Sequence, residues 1–459
     1  MNTTPPHSHN FHNDRDLEGR NVGVVNLGCA RNLVDSQVIL GHLKRNGHHI
    51  VRVEESDVAI VNTCGFIEEA KKESIDTIID LLELKRQGKL KKVIVAGCLA
   101  ERYGDELAKE FKDIDAIVGV QQLQKDAVPD QELLTPDHFA YLKICESCYN
   151  QCSFCIIPKI KGKFVSRTIE SILEEVKALD ARGIKEIHII GQDITAYGMD
   201  IDREKSLAKL LKKIVAITKN IQWIRLLYTF PAHITNELIE TIAGEEKICK
   251  YIDMPLQHIS DHLLKEMNRN ITREQTVDLI KKIRNRIPKV SLRTAFIVGM
   301  PGESQEDFEE LVEFVKETCF EKVGVFVYSR EEGTPAYDMP GQIPESVKKE
   351  RCNALMTVQQ DISKDIQGQC VGQTLKAIID ERQEGELMRP FDLPSGLTQG
   401  EPPIGENPPR LIYLGRSEYD APEVDGIVYV HSKKELAPGD FVMAKITDSY
   451  EYDLVGEVI

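Results

Sequence analysis

Apolar residues fall in short runs along most of the chain, and the stretches between the runs repeat their apolar positions at helical spacing. Val22–Leu27, Val58–Asn62, Val93–Ala96 and Ile117–Val120 read as buried parallel strands, with helices over Val34–Lys44 and Ile67–Leu84. This alternation predicts an open α/β sheet. After a polar, proline-containing linker (Gln121–Asp137), further strands read at Phe139–Ile144, Ile187–Ile190, Ile224–Tyr228, Tyr251–Met254, Leu292–Val298 and Val323–Tyr328. Helical segments separate them, and six such units predict a partial (β/α) barrel with its chemistry at the carboxyl ends of the strands. A helix over Glu345–Ile366 leads to alternating runs at Thr374–Ile379, Gly426–Val430 and Phe441–Ile446, the pattern of a small antiparallel β-barrel. A Pro- and Gly-rich insertion, Leu393–Pro409, interrupts it. The organisation read from this is a disordered tail (residues 1–20), an α/β domain (21–121), a linker (122–137), a partial barrel (138–367) and a terminal barrel (368–459).

Composition narrows the class. No apolar run approaches the 18 or so residues that cross a bilayer. The polar start, with His7, His9 and His12, has neither the apolar core of a secretory signal nor a transit pattern, so the expected location is cytoplasmic. A metal-binding tail is the alternative to disorder there. In a reducing compartment eleven cysteines point to metal or catalysis rather than disulfides. The net charge of −16 argues against a broad nucleic-acid surface. Residues 368–459 hold 17 acidic against 8 basic side chains, which suits a basic protein partner, although charge runs are also ordinary solvated faces.

The candidate chemistry lies in two sets of cysteines. Cys148, Cys152 and Cys155 follow one another at C-x3-C-x2-C spacing just past the first strand of the partial barrel. Iron–sulfur clusters usually take four cysteines, so three on one loop leave one iron of a four-iron cluster open. With Cys145 the stretch also reads as a four-cysteine zinc knuckle, although zinc hooks are commonly two separated pairs. Cys145 itself reads as a small buried strand-end residue. Cys29, Cys64 and Cys98 each follow the carboxyl end of a strand, each beside a glycine. Alone, any one is an ordinary buried residue. Together they converge on the edge where open α/β sheets bind ligands, and they predict a second three-ligand cluster. Gln192-Asp193, Gln257-His258 and Gly299-Met300-Pro301-Gly302-Glu303 stand at other strand ends. There His258 is either a site or a packing residue, and Arg293 either a ligand to a carboxylate or half of a structural ion pair.

The loop Cys145–Cys155 resembles the radical S-adenosylmethionine (SAM) signature. Leu27-Gly28-Cys29-Ala30-Arg31-Asn32, Val61-Asn62-Thr63-Cys64-Gly65-Phe66-Ile67 and Gly97-Cys98-Leu99-Ala100-Glu101-Arg102 resemble the amino-terminal domain of the methylthiotransferases, and the last region resembles TRAM. The resemblance covers nearly the whole chain from Val22. It implies two 4Fe-4S clusters, held by Cys148, Cys152 and Cys155 and by Cys29, Cys64 and Cys98, with SAM bound at the open iron of the first. It further implies generation of a 5′-deoxyadenosyl radical, hydrogen abstraction from the substrate and transfer of a methylthio group, with two SAM molecules used per product. Asn32-Leu33-Val34-Asp35-Ser36, Leu134-Thr135-Pro136 and Glu451-Tyr452-Asp453-Leu454 resemble the branch acting on the β-carbon of an aspartate in ribosomal protein S-twelve. A flavodoxin or ferredoxin is the electron donor this implies. Two departures stand out: Ala30-Arg31 replaces the family's Pro-Lys, and Ser147 replaces Gly before Cys148. A tRNA methylthiotransferase with the same chemistry is the alternative, and a non-catalytic iron–sulfur carrier is a third reading.

Overall fold

The computed structural model describes residues 19–123, 132–383 and 411–459. The Leu393–Pro409 insertion and the three tail histidines lie outside these described residues. Among the described residues, sixteen of eighteen strands form three principal sheets, built in chain order, and the other two pair separately. In the first, β1 (Asn21–Asn26), β2 (His49–Ile50), β3 (Val58–Thr63), β4 (Lys92–Gly97) and β5 (Ala116–Gly119) are all parallel, in the order β2-β1-β3-β4-β5. Helices α1 (Ala30–Arg45), α2 (Glu68–Arg86), α3 (Cys98–Glu110) and α4 (Val120–Leu123) connect or follow these strands. Strands β1, β3 and β4 are immediate neighbours, which places the three cysteine-bearing turns side by side. The two-residue β2 is too short to leave a pattern in sequence.

The second sheet is the parallel partial barrel: β6 (Phe139–Lys143), then, past the short pair β7 (Cys145–Glu146) and β8 (Val165–Ser166), β9 (Glu186–Ile190), β10 (Trp223–Leu226), β11 (Ile248–Asp253), β12 (Ser291–Val298) and β13 (Lys322–Val327). The order runs β6-β9-β10-β11-β12-β13, and β6 does not pair with β13, so one side stays open. The third is a closed barrel of β14 (Thr374–Arg382), β15 (Leu411–Ser417), β16 (Val428–Ser432), β17 (Phe441–Ser449) and β18 (Leu454–Val458). It departs from a wholly antiparallel reading, because β16 and β18 pair in parallel. That follows from β17 crossing over to pair with β14 and turning back into β18, which closes the gap beside β16. Strands β15 and β18 escape the sequence pattern because Gly415 and Gly456 interrupt their apolar alternation.

Successive strand residues face opposite ways. In the partial barrel one face carries Leu142, Ile187, Ile189, Ile224, Leu226, Ile252 and Leu292, packed as the main core. The other carries Glu186, His188, Arg225, Tyr251 and Arg293, and apolar side chains alone do not fill it. A strap from the terminal barrel does so instead. Running from Arg416 to Asp420, it meets strands β9 to β13 in order. Arg416 pairs with Glu186 at 2.8 Å. Arg225 donates to the carbonyls of Glu418 (2.6 Å) and Ser417 (3.3 Å). The Lys250 amide donates to Glu418 Oε2 at 3.2 Å, Ser291 Oγ to the Tyr419 carbonyl at 3.4 Å, and Lys322 to Asp420 at 2.6 Å. The strap then turns back, and Asp425 accepts from Tyr251 Oη at 2.7 Å and pairs with Arg293 at 3.5 Å.

This packing bears on two readings. Arg293 lies 2.8 Å from Asp253 as well as facing Asp425, so it is the structural ion pair. His258 is fully buried, its Nδ1 accepting from the Ser260 amide at 3.1 Å and its Nε2 without a hydrogen-bond partner among the described residues, a placement in keeping with a packing residue. Burial pushes its imidazole down to about 3, with Asp307 opposing and Arg351 assisting.

Two outcomes are expected. Arg225 and Arg416 are both buried against Glu186, to which Arg225 Nε lies at 2.9 Å. Burial alone would raise the Glu186 carboxyl, but Arg416, His188 and Arg225 hold it well below the carboxylate range. Glu186→Gln leaves the buried Arg225 without a charge partner and Arg416 with Asp380 alone, and should cost about 3–5 kcal/mol in denaturant titration; an unchanged midpoint would contradict the role. His258 stays neutral when folded, whereas the unfolded chain takes up its proton below pH 6.5. Its contribution is therefore complete above that pH and is lost toward pH 3 at about 1.4 kcal/mol per unit. His258→Gln should remove that part of the slope.

Candidate functional site

Each cysteine of the first set sits where a strand ends and its loop turns. Cys29 caps α1, Cys64 follows β3, and Cys98 opens α3 directly after β4. Backbone must pass close here. A Cβ on Gly28 would stand 2.8 Å from Cys64 Cβ, and one on Gly97, whose φ is +98°, would stand 2.3 Å from Asn62 Oδ1. Only glycine meets both demands. Two asparagines brace the turns: Asn32 donates to the carbonyls of Leu27 (2.9 Å) and Thr63 (3.1 Å), and Asn62 to the carbonyl of Asn32 (2.8 Å). The Cys98 thiol points at Asn32 Oδ1, 3.6 Å away.

The second set lies on the loop after β6. Ser147 takes φ +61°, and its hydroxyl donates to the Gly162 carbonyl at 2.6 Å, so the serine found where glycine was expected is held by its own side chain. Asn150 donates to Asp193 at 2.7 Å and points at Cys148 Sγ at 3.7 Å. Asp193 also takes His233 Nδ1 at 2.7 Å. Arg269 donates to the Pro255 carbonyl at 2.5 Å, points at Cys152 Sγ at 3.7 Å and stacks on Phe230. Cys145 is buried with its thiol toward the Asp193 carbonyl, apart from these contacts and in keeping with a strand-end residue.

The two sets are neighbours. Cys98 packs with Ile156 and Ile160, on the segment following Cys155. Arg31 lies between them, stacked on Tyr228 and donating to the Gly191 carbonyl at 3.0 Å. Its charge reaches Cys29 and Cys98 on one side and Cys155 on the other. Burial pushes the thiols of Cys155 and Cys98 up to about 12 and Cys148 to about 11. At Cys29 burial acts the same way, but Arg31 overrides it and the thiol is lowered. Below, the buried Asp35 of α1 pairs with Lys143 of β6 and, at 2.8 Å, with Lys161 of α5 (Ile157–Lys161), locking the first domain to the second.

Among the described residues, no group of three His, Cys, Asp or Glu side chains converges closely enough to hold a single metal ion. Thiols that receive a cluster stand farther apart, because the cluster occupies the space between them, and a thiol-only donor set is the one iron–sulfur clusters take. The residues present fit such a group.

Of the other strand-end groups, Asp193 reaches the second set, whereas Gln257 pairs through its backbone with Ala295. Glu303 folds back on the amides of Gly299 and Met300 and pairs with Arg351 at 3.0 Å, so that turn is self-contained. Arg31, Asn32, Asn150 and Arg269 carry no separate signal in sequence. Arg31 and Asn32 adjoin Cys29 and Asn150 lies inside the second loop, but Arg269 comes from a distant helix end.

Family comparison places these features together. Residues 21–119 match the family described as uncharacterized protein family UPF0004, residues 142–315 the Radical SAM superfamily, and residues 404–459 the TRAM domain. The chain is 45% identical to ribosomal protein uS12 methylthiotransferase RimO of Thermoanaerobacter sp. (strain X514), over 95% of this chain and 100% of that protein. It is 42% identical to the protein of that name from Clostridioides difficile (strain 630), over 95% and 98%. The Flavobacterium psychrophilum protein of that name is 40% identical, over 96% and 99%. The structure is also similar in fold to the radical SAM methyltransferase TsrM from Kitasatospora setae, with TM-score 0.51, 15% identity, and 80% and 78% of the two chains covered. With two braced sets of thiols and relatives alike from end to end, the chain belongs to the RimO family of methylthiotransferases.

Proposed function

We propose that this chain adds a methylthio group to the β-carbon of an aspartate in ribosomal protein uS12. In that reading Cys148, Cys152 and Cys155 hold one 4Fe-4S cluster and Cys29, Cys64 and Cys98 hold another. The observation that carries it is the pairing of two thiol-only sets across Arg31, in a chain alike from end to end to proteins of this name. The β-carbon of an aspartate bears an inert C–H bond that no side-chain base removes usefully. When bound, SAM and the two clusters supply what the side chains lack: a radical that takes the hydrogen, and a methylated sulfur to replace it.

The chain's own residues supply position and shielding. Asn150 and Asp193 pin the Cys148–Cys155 loop, and Asn32 and Asn62 fix the facing turns. Arg31 places a fixed positive charge between the sets, where negative thiolates would gather. The strap covers the charged inner face of the barrel from β9 to β13. The one-electron donor is proposed to be a flavodoxin or ferredoxin, and the site of action cytoplasmic; no helix among the described residues is long and apolar enough to cross a membrane. Each of the three relatives bears the protein-substrate name, and no observation favours a tRNA substrate.

The test is anaerobic reconstitution with iron, sulfide, SAM and reductant, offering uS12 and tRNA separately. Mass spectrometry should find a methylthio group on an aspartate of uS12; a gain on tRNA alone would overturn the substrate. Cysteine variants separate the clusters. Cys148→Ala, Cys152→Ala and Cys155→Ala combined should lose about half the iron and all reductive cleavage of SAM. Cys29→Ala, Cys64→Ala and Cys98→Ala combined should lose a similar share but keep cleavage, with no methylthio product. Full iron in either variant would contradict the proposed ligands.

A further inference from the structure

The strap that fills the partial barrel has a tip, Ala421-Pro422-Glu423-Val424, whose purpose its anchors do not explain. Asp420 and Asp425 fix its two ends on Lys322 and on Tyr251 and Arg293. Ala421 is buried in a cluster with Tyr141, Leu227 and Tyr228 of the partial barrel and Ala30 and Leu33 of α1, just beyond Cys29. All three domains meet there. Pro422 is buried as well, but beyond it Glu423 is exposed and Val424 is 54% exposed.

Glu423 also holds φ +66°, a region that glycine and asparagine tolerate and glutamate rarely adopts. Among the described residues no hydrogen bond or ion pair holds its carboxylate. Burial first and the charge of Glu423 next push the Tyr141 hydroxyl well above its ordinary range. On β13, the edge strand, Phe326 shares a face with Lys322 by strand alternation and is 54% exposed, so the inner face is accessible at that edge of the sheet. Strained residues held by an over-determined framework cluster at ligand clamps.

We infer that Glu423 is a specificity residue: it receives a lysine or arginine side chain of the protein substrate close to the aspartate that reacts, while Val424 and Phe326 bound the space around the substrate chain. The inference rests on the proposed protein substrate. An exposed carboxylate with no partner among the described residues, on a strap anchored at both ends and two residues from Ala421, which packs against α1 just beyond Cys29, fits a cation entering from the open side. Pairing of one such charge sets register, placing one aspartate rather than another under the reacting groups.

The experiment uses the reconstituted full chain with uS12 and with uS12 variants in which each Lys or Arg flanking the modified aspartate is changed to Gln in turn. Glu423→Gln keeps the side chain's size, and Glu423→Asn suits the left-handed backbone, so a folded variant is at hand either way. Both should raise KM for uS12 about tenfold with kcat changed less than about twofold, and weaken uS12 binding in calorimetry without SAM by the same factor. One substrate variant should be as poor for the unaltered enzyme as native uS12 is for Glu423→Gln, with no further loss when the two are combined. A merely structural role would instead lower kcat and give additive losses. Unchanged KM and binding in both variants, or full additivity with every substrate variant, overturns the inference. Failure of the unaltered enzyme to modify uS12 would overturn the underlying reading, and the inference with it, and is told apart because it needs no variant.

Discussion

Glu186 is buried between two guanidinium groups, Arg225 from its own sheet and Arg416 from the terminal barrel. Removing charges from water is costly, and a carboxylate shared between two arginines offsets that cost only when all three are in place. The arrangement therefore works as a latch. Where other barrels fill their interior with layers of branched apolar side chains, this one leaves a charged face that is complete only when the strap from Arg416 to Asp425 lies on it. Stability of the second domain and placement of the third are thus one interaction.

The same latch reaches the thiols through a short physical chain. Asp425 faces Arg293, and Arg293 holds Asp253. Asp253 accepts from the Tyr228 amide at 2.8 Å, fixing a turn at φ +66°, and Tyr228 carries Arg31 on its ring. Arg31 lies between the two cysteine sets. From the other side, Asp35 ties α1 to Lys143 and Lys161. Cys29 begins that helix, so its place relative to Cys148, Cys152 and Cys155 is set by charge pairs on both flanks. Transfer of a group between two sites demands such fixed spacing, because misplacement by an ångström forfeits much of the benefit of proximity.

Much of this was legible in sequence where the signal is local. Cys29, Cys64 and Cys98 stand out because strand periodicity places each at a strand end beside a glycine that marks close backbone approach, and Cys148, Cys152 and Cys155 because their spacing gathers them on one loop. The three regions follow from the change between helical and alternating apolar patterns. What escaped was whatever depends on a partner far along the chain. His188 and Arg225 fall within strands by their pattern and Glu186 just before one, and their charge makes sense only with Arg416, Ser417 and Glu418 resting on this face. Arg293 was ambiguous for the same reason. The acidic balance of residues 368–459 was counted as surface, yet Asp380, Asp420 and Asp425 turn inward, onto His138 and Arg416, Lys322, and Arg293 respectively. Glu423, Glu435, Asp440 and Asp448 remain exposed.

The central claim is that two clusters, each on three cysteines, face one another across Arg31. The most direct measurement is anomalous diffraction at the iron edge from crystals of the anaerobically reconstituted protein. Two iron sites should appear, one bounded by Cys29, Cys64 and Cys98 and the other by Cys148, Cys152 and Cys155, each with one iron lacking a protein ligand. A single iron site, or zinc on Cys145 and Cys148, would contradict the account.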